Sequence, residues 1–115
     1  MFAPDARVLL AAVLLASAVT AHAADYKIDD THSFVQFRTK HLGYSWLYGR
    51  FNINGGHFSY DPAKPESSKI TVDIDVASID SNHELRDEHL RNKYLFTDKQ
   101  PKASFTSTAY KGDAN

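Results

Sequence analysis

The feature that most constrains the fold is a strict two-residue alternation over residues 69–78. From residue 70 to residue 76 every second position is β-branched: Ile70, Val72, Ile74 and Val76. The positions between them are polar or small: Thr71, Asp73, Asp75 and Ala77. Because successive side chains of a strand point to opposite faces of a sheet, this pattern predicts an antiparallel strand with one buried and one solvated face. The two aspartates could form an acid–base pair, but their alternation with apolar residues favours an ordinary solvated face.

Further strand-like segments precede and follow this one. The patterns predict strands at residues 26–28, 33–39 and 46–53, and a weaker strand at residues 103–110. The apolar positions change parity between Ile53 and Phe58, so one residue must be absorbed near Asn54-Gly55-Gly56. A tight hairpin turn or a β-bulge would both achieve this. We favour the bulge, which gives one bent strand through residues 51–60.

One short helix is expected after the alternating strand. Ser81-Asn82-His83-Glu84 has the form of a capping box, in which Ser81 caps the helix and Glu84 reaches back to it. The helix should extend over residues 82–92, where the spacing of four allows Asp87 to pair with His83 or Arg91. About six antiparallel strands, one helix and no internal repeat predict an all-β fold, either a sandwich or a barrel.

Residues 1–23 have the character of a secretory signal peptide. Arg7 precedes an apolar run over residues 8–19, and a run of about 12 residues is too short for a membrane span, which needs roughly 20. Ala21-His22-Ala23 places small residues at the two positions that a signal peptidase reads. We therefore expect an exported domain formed by residues 24–115, with no transmembrane segment.

Charge and composition exclude several classes of function. The net charge is −1, which disfavours a nucleic-acid partner, and the absence of cysteine excludes disulfides and cysteine zinc sites. His83 and His89 are six positions apart and would point to different faces of the predicted helix, so no metal site is expected. Gly55-Gly56 precedes a strand and not a helix, which excludes a phosphate-binding loop. We find no catalytic motif and expect a protein that is not an enzyme.

Aromatic residues are concentrated in residues 44–60. This stretch contains Tyr44, Trp46, Tyr48, Phe51, Phe58 and Tyr60. They could fill a solid core or line a cavity, since a barrel of about eight strands is just wide enough for side chains or one apolar ligand. Composition leaves both interpretations open.

Three stretches of the chain resemble a known family. They are residues 41–49 (HLGYSWLYG), 77–91 (ASIDSNHELRDEHLR) and 101–108 (PKASFTST), and the most specific part is the group Arg86, Asp87, His89, Leu90 and Arg91. In this order, behind a signal peptide, they closely resemble the YceI-like family of lipocalin-like, polyisoprenoid-binding periplasmic proteins. The resemblance implies an antiparallel lipocalin-like β-barrel with an elongated apolar cavity and a short helix at its wall or mouth.

The same resemblance implies a function. It implies non-covalent binding of a long isoprenoid or similar fatty amphiphile in the periplasm, with no cofactor and no catalytic chemistry, and a proposed role in stress response. We expect the cavity wall to include Phe37, Trp46, Phe51, Phe58, Ile74 and Phe105, with His41 and Arg50 meeting a polar head group. The alternative is a secreted structural or stress-response protein that docks on a membrane complex without transporting lipid. An enzyme that uses His83 or His89 is the least favoured option.

Two features depart from the family pattern. Gln100 stands where relatives usually have an aromatic residue before the proline, and residues 92–97 differ from the usual motif, which makes packing under the helix harder to predict. The resemblance covers about the first half of the family domain. We therefore expect an incomplete barrel with two unpaired edges, which predicts that the chain alone is unstable, aggregates or forms a homodimer.

Overall fold

A single long strand organises the sheet in the computed structural model, which describes residues 22–112. The strands are β1 (Ala24–Lys27), β2 (Phe34–His41), β3 (Ser45–Tyr60), β4 (Lys69–Asp80) and β5 (Lys102–Thr106). A 3₁₀ turn (Pro65–Ser67) precedes β4, and α1 (Glu84–His89) continues into a π-helical turn (Leu90–Tyr94). The predicted signal peptide, residues 1–23, lies outside the described range except for its last two residues.

The strands form one antiparallel sheet in the order β1-β3-β4-β5. β2 pairs with the first half of β3 and β1 with its second half, so both lie on the same side of that long strand. The sheet curls into half of a barrel, which confirms the predicted all-β, lipocalin-like fold with one short helix. Within residues 22–112, no strand pairs with the outer edges of β1, β2 or β5.

The predicted bulge in β3 is confirmed. Ile53 pairs with Ile74 and Gly55 pairs with Asp73, so Asn54 is an extra residue on β3. Gly55 has a φ of 121°, a conformation that glycine adopts without a steric penalty. The aromatic segments on either side of the bulge therefore belong to one bent strand, and the described range contains five strands where about six were expected.

A second irregularity, in β4, was not predicted. Arg50 pairs with Asp80 and Asn52 pairs with Asp75. Residues 76–79 of β4 therefore have Phe51 as the single residue opposite them in β3. The Ser78 hydroxyl occupies the gap, where Oγ accepts a hydrogen bond from the Asn52 N–H at 2.8 Å and donates one to the Asp75 carbonyl at 2.6 Å. A side chain thus replaces missing main-chain partners, and β4 extends two residues beyond its predicted end.

β5 ends earlier than the predicted strand over residues 103–110. The Ser107 Oγ accepts a hydrogen bond from the Ile70 N–H at 2.9 Å, and the Ser107 N–H donates to the Ile70 carbonyl at 2.9 Å. The Ser107 hydroxyl therefore accepts from the Ile70 N–H, which in a longer β5 would donate to a main-chain carbonyl. This local side-chain bond ends the regular pairing at Thr106.

The predicted capping box at Ser81 is wrong. The helix starts at Glu84, and its N-cap is His83, whose Nδ1 accepts from the Arg86 N–H at 3.3 Å. Ser81 is buried and bonds the Asp87 carboxylate instead. Because Asp87 faces Ser81, it is unavailable to Arg91, which pairs with Glu84 at 2.8 Å.

Gly49 gives the first testable prediction, because the Phe37 ring lies directly over it. A Cβ at Gly49 would lie 2.3 Å from the Phe37 Cζ. Gly49→Ala should therefore displace the ring and reduce the free energy of unfolding by about 1–3 kcal/mol. In a Phe37→Ala background the same substitution should have almost no effect, which a double-mutant cycle in urea measures. Additive effects of the two substitutions would contradict this packing.

Candidate functional site

The concave face of the sheet is apolar over its whole width. Cross-strand pairing places Phe37 opposite Gly49, Ile53 opposite Ile74, and Val72 opposite Phe105, so all these positions share one face. Among residues 22–112, Ile53 and Ile79 are the only buried hydrophobic residues, while Phe58 is 38% and Phe105 52% exposed. Large apolar side chains on this face are therefore accessible to a ligand.

The first cavity on this face has a volume of about 330 Å³ and lies where β3, β4 and β5 meet. Its apolar walls come from Phe58, Tyr60, Ile70, Phe105 and Tyr110. The Tyr26 ring of β1 stacks on Phe58 at a centroid distance of 4.7 Å and an interplanar angle of 12°. Stacking fixes the Phe58 ring and leaves its other surface open to the cavity.

The second cavity, of about 280 Å³, lies between the other end of the sheet and residues 84–95, which form α1, the π-helical turn and Leu95 and which we call the helical segment. Sheet and helical segment both contribute to its lining: Phe37, Thr39, Leu47, Phe51, Ile79, Arg86, Leu90 and Leu95. The Phe37 and Phe51 rings contact each other at 5.3 Å between centroids. Arg86 is the one charged residue in this lining, and its guanidinium is bound to the Ser81 hydroxyl and carbonyl.

Six of the eight predicted site residues lie on the concave face. Phe37 and Phe51 line the second cavity, Phe58 and Phe105 line the first, and Ile74 lies in β4 opposite Ile53. His41, at the end of β2, has the same strand parity as Phe37 and is exposed. The face therefore contains two apolar cavities, whereas the sequence predicts a single wall.

Trp46 and Arg50 lie on the opposite, convex face of the sheet. Both have the parity opposite to Phe51, and no bulge separates the three positions in β3. Trp46 contacts the cations of Arg38 and Lys40, and the Arg50 Nε lies 3.6 Å from the Asp80 carboxylate. The structure therefore places Trp46, predicted for the cavity wall, and Arg50, predicted to meet a head group, on the face opposite to the other six predicted site residues.

Several cavity residues were missed from the sequence. Tyr60 has the parity of Phe58, so alternation alone could have identified it. Leu90 and Leu95 come from the helical segment, and only the position of that segment over β3 brings them to the second cavity. The apolar cluster at residues 94–96 indicates Leu95, but it does not specify a partner and does not include Leu90.

A polar recess of about 620 Å³ lies on the convex face and includes Asp30, His32, Arg50, Asn52 and Asp75. Beside this recess, the Asp29 carboxylate accepts hydrogen bonds from the Thr31 hydroxyl and from the His32 ring. These bonds hold the pKa of Asp29 below its usual range, and the bond from Thr31 has the larger effect. Hydrogen bonds to the ionised form explain this direction, since Asp29 is exposed. In the described part of the chain, no cluster of three or more metal-ligating side chains occurs.

No helix among residues 22–112 is long and apolar enough to cross a membrane. On the sheet, the concave face is the one with exposed aromatic side chains beside apolar cavities.

Comparisons with known proteins place these features in one family. The model of the YceI-like domain matches residues 26–114. A UPF0312 protein of Pectobacterium atrosepticum is 49% identical over 110 residues, which cover 93% of this chain and 57% of that protein. The protein YceI of Shigella flexneri is 50% identical over 107 residues, covering 90% and 56%. The chain thus spans a little over half the length of these curated relatives.

Proposed function

Because this chain belongs to the YceI-like domain family, we propose that its concave face binds a long-chain isoprenoid or similar amphiphilic lipid in the periplasm, without catalysis. One observation supports this most strongly: aromatic side chains that remain exposed, such as Phe58 and Phe105, flank an apolar cavity on the same face as a second cavity. An elongated hydrocarbon chain would cover both.

The energy of such binding comes from removing apolar surface from water. Each buried CH₂ contributes about 0.8 kcal/mol, so one isoprene unit contributes roughly 3–4 kcal/mol. A few units suffice for micromolar affinity after the entropic cost of association. A hydrocarbon chain forms no hydrogen bonds with its binding site. The concave face would therefore discriminate between lipid tails mainly by their length and only weakly by their chemistry.

The polar groups near the cavities fit a binding role better than a reaction. In the second cavity Arg86 is held by Ser81, and the other lining side chains except Thr39 are apolar. A general acid–base reaction needs a titratable group within hydrogen-bond reach of the substrate. His41, at the rim of the concave face, is the residue we retain as a candidate contact for a head group.

Phe58→Asp tests this proposal. A carboxylate in the first cavity should oppose a hydrocarbon chain, because burial of an unpaired charge is strongly unfavourable. His57→Asp is the matched control, since His57 is exposed and is the neighbouring position on the opposite face of β3. We expect lipid extracted from the purified protein and measured by mass spectrometry to fall at least about tenfold in Phe58→Asp and to be unchanged in His57→Asp.

Two outcomes would contradict lipid binding on the concave face. One is repeated absence of lipid from the unaltered protein together with no uptake of an added polyprenol. The other is an equal loss in Phe58→Asp and His57→Asp. A defined protein captured without lipid would instead support the alternative of a structural protein that docks on a membrane complex.

A further inference from the structure

The convex face of the β2–β3 hairpin has a composition unlike the rest of the sheet. We call it the hairpin outer face and define it by Phe34, Arg38, Lys40, Trp46, Tyr48 and Arg50. Its three aromatic residues are large and about half exposed. Its three cations alternate with them across the two strands, because Lys40 pairs with Trp46 and Arg38 with Tyr48.

Cations and rings on this face are in direct contact. The Arg38 guanidinium carbon lies 4.4 Å from the centroid of the Trp46 ring, and the Lys40 ammonium lies 5.2 Å from it. The Arg50 guanidinium carbon lies 5.8 Å from the Phe34 centroid. In the described part of the chain, Asp80 is the one carboxylate within ion-pair distance of these cations. The hairpin outer face is therefore positively charged.

The tip of the hairpin extends the same surface with two protruding side chains. Leu42 is 71% exposed and Tyr44 is 78% exposed. Leu42 and Gly43 have φ values of 51° and 80°, and the Tyr44 N–H donates to the His41 carbonyl at 3.3 Å. The turn is thus held by a backbone bond while both side chains point away from the sheet.

We propose that the hairpin outer face and its tip dock the protein on an anionic lipid bilayer surface. Trp and Tyr partition to the interface between lipid and water, where their rings contact the acyl region and their polar atoms remain hydrated. Lys and Arg bind the anionic head groups beside them. The positive charge of this face complements an anionic bilayer surface. Its exposed Trp46 and Tyr48 are of the residue types that favour the interface between lipid and water.

The proposal is independent of lipid binding on the concave face and complements it. Phe37 and Leu47, on the other face of the same hairpin, line the second cavity. Docking of the hairpin would therefore bring this cavity close to the bilayer. Because Trp46 faces away from both cavities, a ligand that enters them should leave its environment unchanged.

Trp46 is the only tryptophan in the chain and reports docking directly. The purified protein is mixed with vesicles of phosphatidylethanolamine and phosphatidylglycerol, or with vesicles of phosphatidylcholine alone. We expect co-sedimentation, a blue shift of Trp46 emission and weaker acrylamide quenching with the anionic vesicles, and none of these with the neutral vesicles. Binding should weaken as salt rises, since salt screens exposed charges.

Charge reversal supplies the decisive comparison. Each basic residue near an anionic surface strengthens binding about fivefold, so Arg38→Glu with Lys40→Glu should weaken it at least about 25-fold. Lys93→Glu with Lys99→Glu is the matched control, because it changes the net charge equally at exposed positions in and after the helical segment. Binding of this control should stay within about twofold. Tyr44→Ser, at the exposed tip, should reduce the blue shift without changing the charge.

Four results would overturn the proposal. Equal binding to neutral vesicles would exclude charge-directed docking. Equal weakening by both charge reversals would show a dependence on net charge alone. Sedimentation with vesicles while Trp46 emission stays unchanged would place the contact elsewhere in the chain. The last is binding to envelope membranes but not to vesicles. If treating the membranes with protease abolishes that binding, the hairpin outer face would be assigned to a protein partner.

Discussion

Asp87→Ala is expected to reduce the free energy of unfolding by about 3 kcal/mol, because it removes the acceptor of a buried hydrogen-bond network. The Asp87 Oδ1 accepts from the Ser81 N–H at 2.8 Å and from the Ser81 hydroxyl at 2.5 Å. Ser81 is 2% exposed and Asp87 is 5% exposed, so water does not replace the lost acceptor. The substitution leaves a buried N–H without a partner.

The loss should be concentrated where the helix joins the sheet. Arg86 Nε donates to the Ser81 hydroxyl at 2.8 Å and its Nη2 to the Ser81 carbonyl, so three residues together fix the start of α1 to the end of β4. Without the carboxylate this connection loosens, and Leu90 and Leu95 should move away from the second cavity. Hydrogen exchange at the Leu90 and Leu95 amides should accelerate more than exchange in β3.

Urea unfolding followed by Trp46 fluorescence gives the global effect. Glu88→Ala is the matched control, since Glu88 is the next residue, is exposed, and should change stability by less than about 0.5 kcal/mol. Asp87→Asn retains one acceptor oxygen and should have an intermediate effect. Equal stabilities of Asp87→Ala and Glu88→Ala would show that the buried network does not stabilise the fold.

The regular strands could be predicted from the sequence because their determinants are local. Alternation over residues 69–78 predicts β4, and the change of parity near Asn54 predicts that one residue is absorbed there, by a hairpin turn or by the bulge that we favour and that β3 contains. Both rest on the two-residue period of a strand, which tertiary context does not alter. The resemblance to relatives added the half-barrel fold, which alternation alone left open between a sandwich and a barrel.

Features that depend on tertiary partners could not be predicted in the same way. Ser81 matches a capping box, but the buried Asp87 competes for its hydroxyl and moves the cap to His83. Ser78 fills a gap in β4 that exists only after β3 and β4 have paired. Local motifs specify possible bonds, and packing decides which of them form.

Trp46 and Arg50 lie on the face opposite to the other predicted site residues for a different reason. Their parity in β3 is opposite to that of Phe51, whereas residue type alone groups Trp46 with the aromatic residues of the wall. The structure shows that aromatic residues occur on both faces: Phe51 on the concave face and Trp46 between cations on the convex face. Parity therefore separates a lipid-binding candidate from a membrane-docking candidate within one hairpin.

Gly56→Ala is the second substitution with a large expected effect, at about 3 kcal/mol of lost stability. Gly56 is buried and pairs with Val72. A Cβ there would lie 2.3 Å from the Thr71 carbonyl oxygen and 3.1 Å from the Val72 Cα. Both atoms belong to the backbone of β4, so no rotation of a side chain relieves the overlap, and β3 and β4 must separate locally.

Separation at Gly56 should also affect the concave face. Phe58 and Ile70 are a cross-strand pair two residues beyond Gly56, and both line the first cavity. If the concave face binds lipid as proposed, Gly56→Ala should reduce lipid retention as well as stability. Gly112→Ala is the matched control, because its Cβ would meet the Tyr110 side chain, which can rotate, and its effect should be under about 0.5 kcal/mol.

Urea unfolding and lipid extraction of the two glycine variants separate the possible outcomes. A stable Gly56→Ala protein that retains its lipid would show that β3 and β4 are not in contact at this position. Loss of stability in both variants would indicate a general effect of alanine. Loss in Gly56→Ala alone would show that the bulge requires glycine on its C-terminal side because the neighbouring backbone leaves no room for a side chain.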